Sequence, residues 1–150
     1  DINEARLDMA KDIGATEVIN PKQDTVVDKI LALTGGGANY AVECTGVPEV
    51  VIQSVNCLTP PGWCAQVGVT PSTVTVPLEM DQVIFGRGIR GVVMGEANVQ
   101  IFVPYLAKLF RQGRLPYDRF VKFYDFADIN QAVHDSAVAG EVIKPILRMP

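Results

Sequence analysis

The apolar run Tyr40-Ala41-Val42-Glu43-Cys44-Thr45-Gly46 lies between the triple glycine Gly35-Gly36-Gly37 and the turn Gly46-Val47-Pro48. Short, apolar and bounded by glycine and proline, it reads as a buried strand. It ends in Thr-Gly and passes straight into a helix opened by Pro48, a residue suited to the first helical position. A parallel strand that stops in this way leaves backbone groups bare at its carboxyl end, where open α/β sheets bind ligands. Cys44, Thr45, Gly46 and Val47 are therefore the first candidates for a binding site.

Helix and strand signals alternate around that strand. Asn3 is placed to cap a helix reaching about residue 13, with Leu7, Ala10 and Ile13 on one side and Gly14 as its stop. Residues 17–20 read as a short strand closed by Pro21, and residues 25–33 as a helix that buries Val26, Ile30 and Leu33 before the triple glycine stops it. A helix over 48–58 turns Val51, Val55 and Leu58 inward. The turn Thr59-Pro60-Pro61-Gly62 then feeds a strand over 63–69 that again ends on glycine and small residues. Alternation with short connections is the pattern of a parallel sheet with right-handed crossovers.

After Pro71 the character changes. Residues 73–77 look extended, 80–85 form a short helix, and 89–94 a strand rich in β-branched residues. An amphipathic helix over 99–112 places Phe102, Tyr105, Leu106, Leu109 and Phe110 on one face. Asp128 is positioned to cap a last helix over 129–138, ended by Gly140, and 142–148 closes the chain as a strand.

With 150 residues, 48% hydrophobic and 20% charged, the chain is expected to bury a core, yet it is short for a two-domain enzyme. It opens on Asp1-Ile2-Asn3 without an initiator methionine and enters a helix at once, which reads as a piece of something longer. The net charge of -4 disfavours nucleic acid and anionic membrane as partners and leaves small soluble ligands. No apolar run approaches the ~18 residues of a spanning helix and no signal-peptide pattern is present, so the expected location is the cytoplasm. Cys44, Cys57 and Cys64 form no C-x-x-C, so buried unpaired thiols are expected rather than disulfides or a zinc site.

Several motifs need their context before they carry chemistry. Asp1, at the foot of a helix, suits a helix cap or a solvated terminus; at a strand end it equally suits the hydroxyls of an adenosine ribose, where its charge would repel a 2′-phosphate. Gly86-Arg87-Gly88-Ile89-Arg90-Gly91 spells G-x-G-x-x-G, but it leaves a helix and enters a strand, so it lacks the free N–H groups that hold a pyrophosphate. The triple glycine has the same order and reads as a helix stop. His134-Asp135-Ser136 are adjacent on a helix and point about 100° apart, which excludes a relay. They read as a solvated face. Lys144 could pair with a phosphate or simply lie on the surface.

Taken jointly, Asp1-Ile2 with the helix to Gly14-Ala15-Thr16-Glu17, Glu43-Cys44-Thr45-Gly46, Gly62, Val67-Gly68-Val69, Gly86-Arg87 to Gly91, and Ile143-Lys144-Pro145-Ile146-Leu147 resemble the zinc-dependent alcohol dehydrogenases of the medium-chain dehydrogenase family. Within that family, Gly113-Arg114-Leu115-Pro116, Val121-Lys122-Phe123-Tyr124 and Ile129-Asn130-Gln131-Ala132 look most like aryl (benzyl) alcohol dehydrogenases. The resemblance implies an α/β fold: the C-terminal part of a Rossmann-type doubly wound parallel sheet over residues 1–94, lacking its first strands, and over 95–150 a C-terminal segment of the catalytic domain. In the family's strand order the absent strands separate the strand near Glu17 from that near Tyr40, so two inner edges would be bare and the isolated piece poorly stable.

The implied cofactors are NAD and zinc, with no catalytic residue and no metal ligand in this chain. By resemblance Asp1 would hold the adenosine ribose with Ile2 and Arg6 beside it, and Cys44, Thr45, Gly46 and Val47 would border the cofactor. Val67, Gly68 and Val69 would present backbone to the nicotinamide, with Val92, Val93 and Met94 near the same ring, and Lys144 would meet the pyrophosphate. The implied reaction is oxidation of a primary alcohol to the aldehyde, with zinc as Lewis acid and hydride passing to NAD. A homodimer or homotetramer would form through the 89–94 strand. A zinc-free quinone oxidoreductase and a non-catalytic dimerisation or ligand-binding module are the competing readings, and the 150-residue piece alone is expected to be inactive.

Overall fold

Residue contacts divide the chain into two units, Asp1–Glu96 and Ala97–Pro150, in a computed structural model that describes all residues 1–150. The first unit is built on a three-stranded parallel sheet of order β1-β2-β3, formed by β1 (Ala38–Glu43), β2 (Leu58–Gln66) and β3 (Gly88–Gly91). Helices α1 (Glu4–Asp12) and α2 (Val26–Thr34) precede it, α3 (Pro48–Asn56) crosses from β1 to β2, and α4 (Met80–Ile84) leads into β3.

The local signals explain most of these boundaries. Asn3 caps α1 with its side chain, accepting from the Ala5 and Arg6 amides. At the end of α2 Gly35 adopts φ 69°, and its N–H and that of Gly36 both return to Leu31 O. That left-handed stop is what glycine permits at low cost. Pro48 starts α3, whose Val51 and Val55 are buried. Val55, Leu58 and Cys64 form the core, with Ala41, Leu78 and Ile89 against it.

Four expectations of the first unit need correction. Residues 17–20 form no strand: they pair with nothing and are tied back instead, the Asp1 ammonium donating to Ile19 O at 3.2 Å and the Asn20 amide to the Glu4 carboxylate. A strand exists only where a ladder partner accepts its backbone, and β1 is paired with β2 alone. Residues 59–62 do not precede β2 but bulge from within it, since Ala38 faces Leu58 while Tyr40 already faces Trp63. Pro60 and Pro61 have no N–H for a ladder, so the extra residues leave the sheet. β3 stops at Gly91 rather than Met94, because Met94 and Glu96 both take φ 51° around Gly95 and turn the chain out of extended conformation. Of the three cysteines, Cys57 and Cys64 are buried and Cys44 is exposed.

The expected inward faces of α1 and α2 are only partly covered. Leu7 is buried, but Ile13 and Leu33 are exposed. Leu7, Ala10, Val26 and Ile30 line an open groove of about 700 Å³ together with Asp1 and Arg6. The free face of the sheet is similarly open, with Tyr40 79% and Val42 66% exposed.

The second unit holds a two-stranded parallel sheet of β4 (Val121–Asp125) and β5 (Lys144–Arg148), with α5 (Val99–Arg111) before it and α6 (Ile129–Val133) between its strands. β4 has no counterpart in the sequence expectations. α5 is capped by Asn98, but none of its residues is buried. α6 is shorter than expected and continues through His134–Val138 as a π turn; Asp128 makes no side-chain cap, whereas Gly140, at φ 68°, ends the segment. Tyr124, Ala132 and Val142 form the small core of this unit.

Candidate functional site

The carboxyl ends of β1 and β2 meet in one corner, and a buried glutamate stands at its centre. Glu43, the last residue of β1, is 2% exposed. Its Oε1 accepts from the Thr45 amide at 2.7 Å, the Thr45 hydroxyl and the Gly46 amide at 3.1 Å; its Oε2 accepts from the Gly46 amide at 3.1 Å and the Gln66 side-chain amide at 2.7 Å. Its main-chain carbonyl accepts from Val67 N at 2.8 Å and Gly68 N at 2.9 Å. Burial alone would push this carboxyl up, but the hydrogen bonds from Thr45, Gly46 and Gln66 outweigh it and hold Glu43 below its ordinary 4.5.

Further bonds lock the two loops together. The Thr45 hydroxyl accepts from Val47 N at 3.0 Å, the Gln66 amide also donates to Gly68 O at 2.8 Å, and the Thr70 hydroxyl donates to Gly46 O at 3.0 Å. Glycine is required at both contact points. A Cβ on Gly68 would collide with Gly46 N and stand 2.6 Å from Glu43 Oε2 and 2.7 Å from Thr45 N; a Cβ on Gly46 would run into the Val69 backbone. Gln66 donates twice, to acceptors only, so its amide orientation is determined. Its Oε1 is then left buried without a partner.

This corner unites Thr45, Gly46, Val47, Val67, Gly68 and Val69, six of the residues singled out from the sequence. Cys44 is exposed beside it. Val92 N donates to Gln66 O at 2.9 Å, at the base of the corner, while the Val92 side chain borders a groove on the sheet face with Tyr40, Trp63 and Arg90. Val93 and Met94 are exposed beyond the end of β3, and Ile2 is exposed ahead of α1. Asp1 and Arg6 line the separate groove near α1, where Asp1 Oδ1 accepts from Asn3 N at 2.9 Å and Oδ2 lies 3.9 Å from the Arg6 guanidinium. Asp1 thus does not cap α1; Asn3 does. Lys144 is the exposed first residue of β5, in the second unit.

Sequence reasoning missed Glu43, Gln66 and Thr70. The signal was a single acidic residue at the end of an apolar strand, because a charge inside such a run must be fully paired. The opposite error concerns Asp135, expected on a solvated face. It is 7% exposed and accepts from the Tyr124 hydroxyl at 2.6 Å, from Lys122 Nζ at 3.2 Å and from the Gln131 amide. Its neighbour His134 is exposed, so only one side of the pair faces water.

A parallel α/β sheet whose ligand-competent corner lies at the carboxyl ends of adjacent strands defines a Rossmann-type nucleotide-binding domain. The chain belongs to the zinc-binding dehydrogenase family, which it matches over residues 1–110. It is 43% identical to an alcohol dehydrogenase zinc-binding domain protein from Burkholderia ambifaria, at a TM-score of 0.97 over 100% of this chain and 40% of that one. It is 42% identical to benzyl alcohol dehydrogenase from Acinetobacter calcoaceticus, at a TM-score of 0.96 over 100% of this chain and 41% of that one. It is 34% identical to geraniol dehydrogenase from Castellaniella defragrans over 97% of this chain and 39% of the relative. The chain therefore spans about two fifths of the length of these relatives.

The residues present fit a dinucleotide. The strand ends at 45–47 and 67–69 offer bare backbone, and the exposed apolar Val47, Val67 and Val69 suit the face of a planar ring. They do not fit zinc, since no group of three His, Cys, Asp or Glu residues is placed to hold a metal. No helix is long and apolar enough to cross a membrane.

Proposed function

We propose that this chain forms the cofactor shelf of an NAD-dependent, zinc-dependent alcohol dehydrogenase that oxidises an aromatic or other primary alcohol to the aldehyde. The interlocked corner of Thr45, Gly46, Gly68 and Val69 carries the reading, with family membership and the likeness to a benzyl alcohol dehydrogenase behind it. NAD, when bound, supplies the hydride acceptor. Val67, Gly68 and Val69 would border the nicotinamide end, with Val92, Val93 and Met94 nearby, and Cys44 to Val47 would border the cofactor. Asp1, with Ile2 and Arg6, would take the adenosine ribose, and Lys144 the pyrophosphate.

In this reading residues 1–94 belong to the cofactor domain and 95–150 to a segment of the catalytic domain. Cytoplasmic location and assembly through the open edge of β3 complete it; β3 is bonded only to β2 and its Arg90 and Gly91 are exposed. In the same reading zinc would be held by residues that this chain does not supply.

The test is performed on the full-length parent protein, following NAD reduction with benzyl alcohol with and without a metal chelator. NAD-dependent activity abolished by the chelator is expected, with NADP a poor substitute because the Asp1 carboxylate repels a 2′-phosphate. Activity that survives the chelator would instead establish the zinc-free quinone oxidoreductase reading, and absence of NAD binding would establish the non-catalytic one.

A further inference from the structure

We infer that Glu43 is a positioning residue for the cofactor: its carboxylate fills the anion nest at the foot of α3 and so turns the outer surface of the corner into one that accepts hydrogen bonds rather than donating them. The inference rests on the cofactor-shelf reading above. Successive backbone N–H groups converging on one point make a nest that ordinarily binds a phosphate or another anion. Here the Thr45 and Gly46 amides converge on Glu43, a group of the protein itself. A trans peptide directs its C=O opposite to its N–H. With the N–H groups of Thr45 and Gly46 turned inward to Glu43, the carbonyls of Cys44 and Thr45 are turned outward.

The consequence is chemical selectivity. A corner in this state repels phosphate and favours donors, such as the hydroxyls of a ribose or the NH₂ of a carboxamide. Gln66 completes the inward-facing set, since both its hydrogens are taken by Glu43 Oε2 and Gly68 O. A merely space-filling group at position 43 would not need charge: an apolar side chain avoids the desolvation that a buried carboxylate incurs. The carboxylate's gain is that it orients the peptides of two strand ends at once.

The experiment uses the full-length parent protein with three variants: Glu43→Gln, Glu43→Ala and Gln66→Met. For Glu43→Gln the amide presents an NH₂ to the Thr45 or Gly46 N–H, so one peptide turns over. The KM for NAD and the Kd for NADH should rise about 10- to 100-fold, the effect of losing charge-assisted hydrogen bonds, while kcat at saturating NAD stays within about twofold. Gln66→Met, which keeps the volume, should raise KM for NAD several-fold. Acetate should restore NAD affinity to Glu43→Ala by refilling the nest, and inorganic phosphate should bind there in its place and compete with NAD.

A purely structural role would lower the active fraction, and hence kcat, with KM unchanged and no response to acetate. That outcome, or wild-type KM in all three variants, overturns the inference. If Glu43→Ala fails to fold, Glu43→Gln and Gln66→Met still decide it through the KM against kcat split. Failure of the cofactor-shelf reading is distinct, because the unsubstituted protein would then bind no NADH.

Discussion

Glu43 in the first unit and Asp135 in the second are both nearly buried, at 2% and 7% exposure, and each gathers several donors onto one carboxylate. Their partners differ in kind. Glu43 is met mainly by main-chain N–H groups of a turn, with Gln66 as bridge to the next strand end. Asp135 is met by the side chains of Tyr124, Lys122 and Gln131, which anchor the end of α6 to β4, while its own carbonyl accepts from Glu141 and Val142. A carboxylate fed by backbone fixes the direction of peptides that a ligand can read. One fed by side chains holds elements together and leaves the backbone unconstrained. The two burials look alike by exposure alone, and only the list of donors separates a site from a staple.

Gly68→Ala breaks the comparison most severely on the first side. The added methyl meets the Gly46 nitrogen, Glu43 Oε2 and the Thr45 nitrogen, and two of those three atoms are backbone that cannot step aside. Forcing volume into such a joint costs about 1–3 kcal/mol, and more where backbone must move; about 3 kcal/mol or more is expected here. The measurement is the urea midpoint of the parent protein together with NADH binding, and both should fall. An alanine tolerated without loss in either would mean that the corner is loose and that its hydrogen bonds do not orient it.

Asp135→Asn is next in size and tests the other side. The amide can no longer accept from Tyr124, Lys122 and Gln131 at once, so the second unit should loosen while KM for NAD stays as in the unsubstituted protein. Hydrogen bonds from Tyr124 first, then Gln131 and Lys122, hold the Asp135 carboxyl at about 2 against an ordinary 3.8. Because the folded value lies below the unfolded one, its stabilisation is complete above about pH 4 and is lost as pH falls towards 2. Pepsin cleavage within residues 121–148, followed over that range, should rise with falling pH in the unsubstituted protein and be high throughout in Asp135→Asn. A cofactor KM that shifts along with it would erase the distinction between the two carboxylates.

The sequence exposed the elements whose signals are local. Asn3, Gly35, Pro48 and Gly140 mark helix ends that the structure keeps, because caps and left-handed stops depend on a few neighbouring residues. The corner was legible in part: Thr45-Gly46 and Val67-Gly68-Val69 were marked as strand ends, but their locking depends on Glu43 reaching Gln66, 23 residues away. No period or spacing reports such a pair. β4 was missed for the same reason, since Lys122 and Asp125 interrupt its apolar pattern and its partner β5 follows only after α6. The segment 17–20 was overread because residue type suggests a strand while only a ladder partner makes one. Asp135 was misjudged by its neighbours: His134 beside it is exposed, and adjacent residues of a helical turn face different directions.

The smallest expected effect is also the finest probe of the comparison. The Thr70 hydroxyl donates to Gly46 O at 3.0 Å, the one side-chain bond that ties the two strand ends without passing through Glu43 or Gln66. Thr70→Val keeps the shape and removes the donor, at a cost of about 1 kcal/mol for a single neutral hydrogen bond. If Glu43 governs the peptide directions, Thr70→Val should lower the urea midpoint slightly and leave KM for NAD within about twofold, because the Thr45 and Gly46 N–H groups still point at the carboxylate. If KM instead rises as far as in Glu43→Gln, closure of the two loops matters more than their polarity. The corner would then be a staple like the one around Asp135.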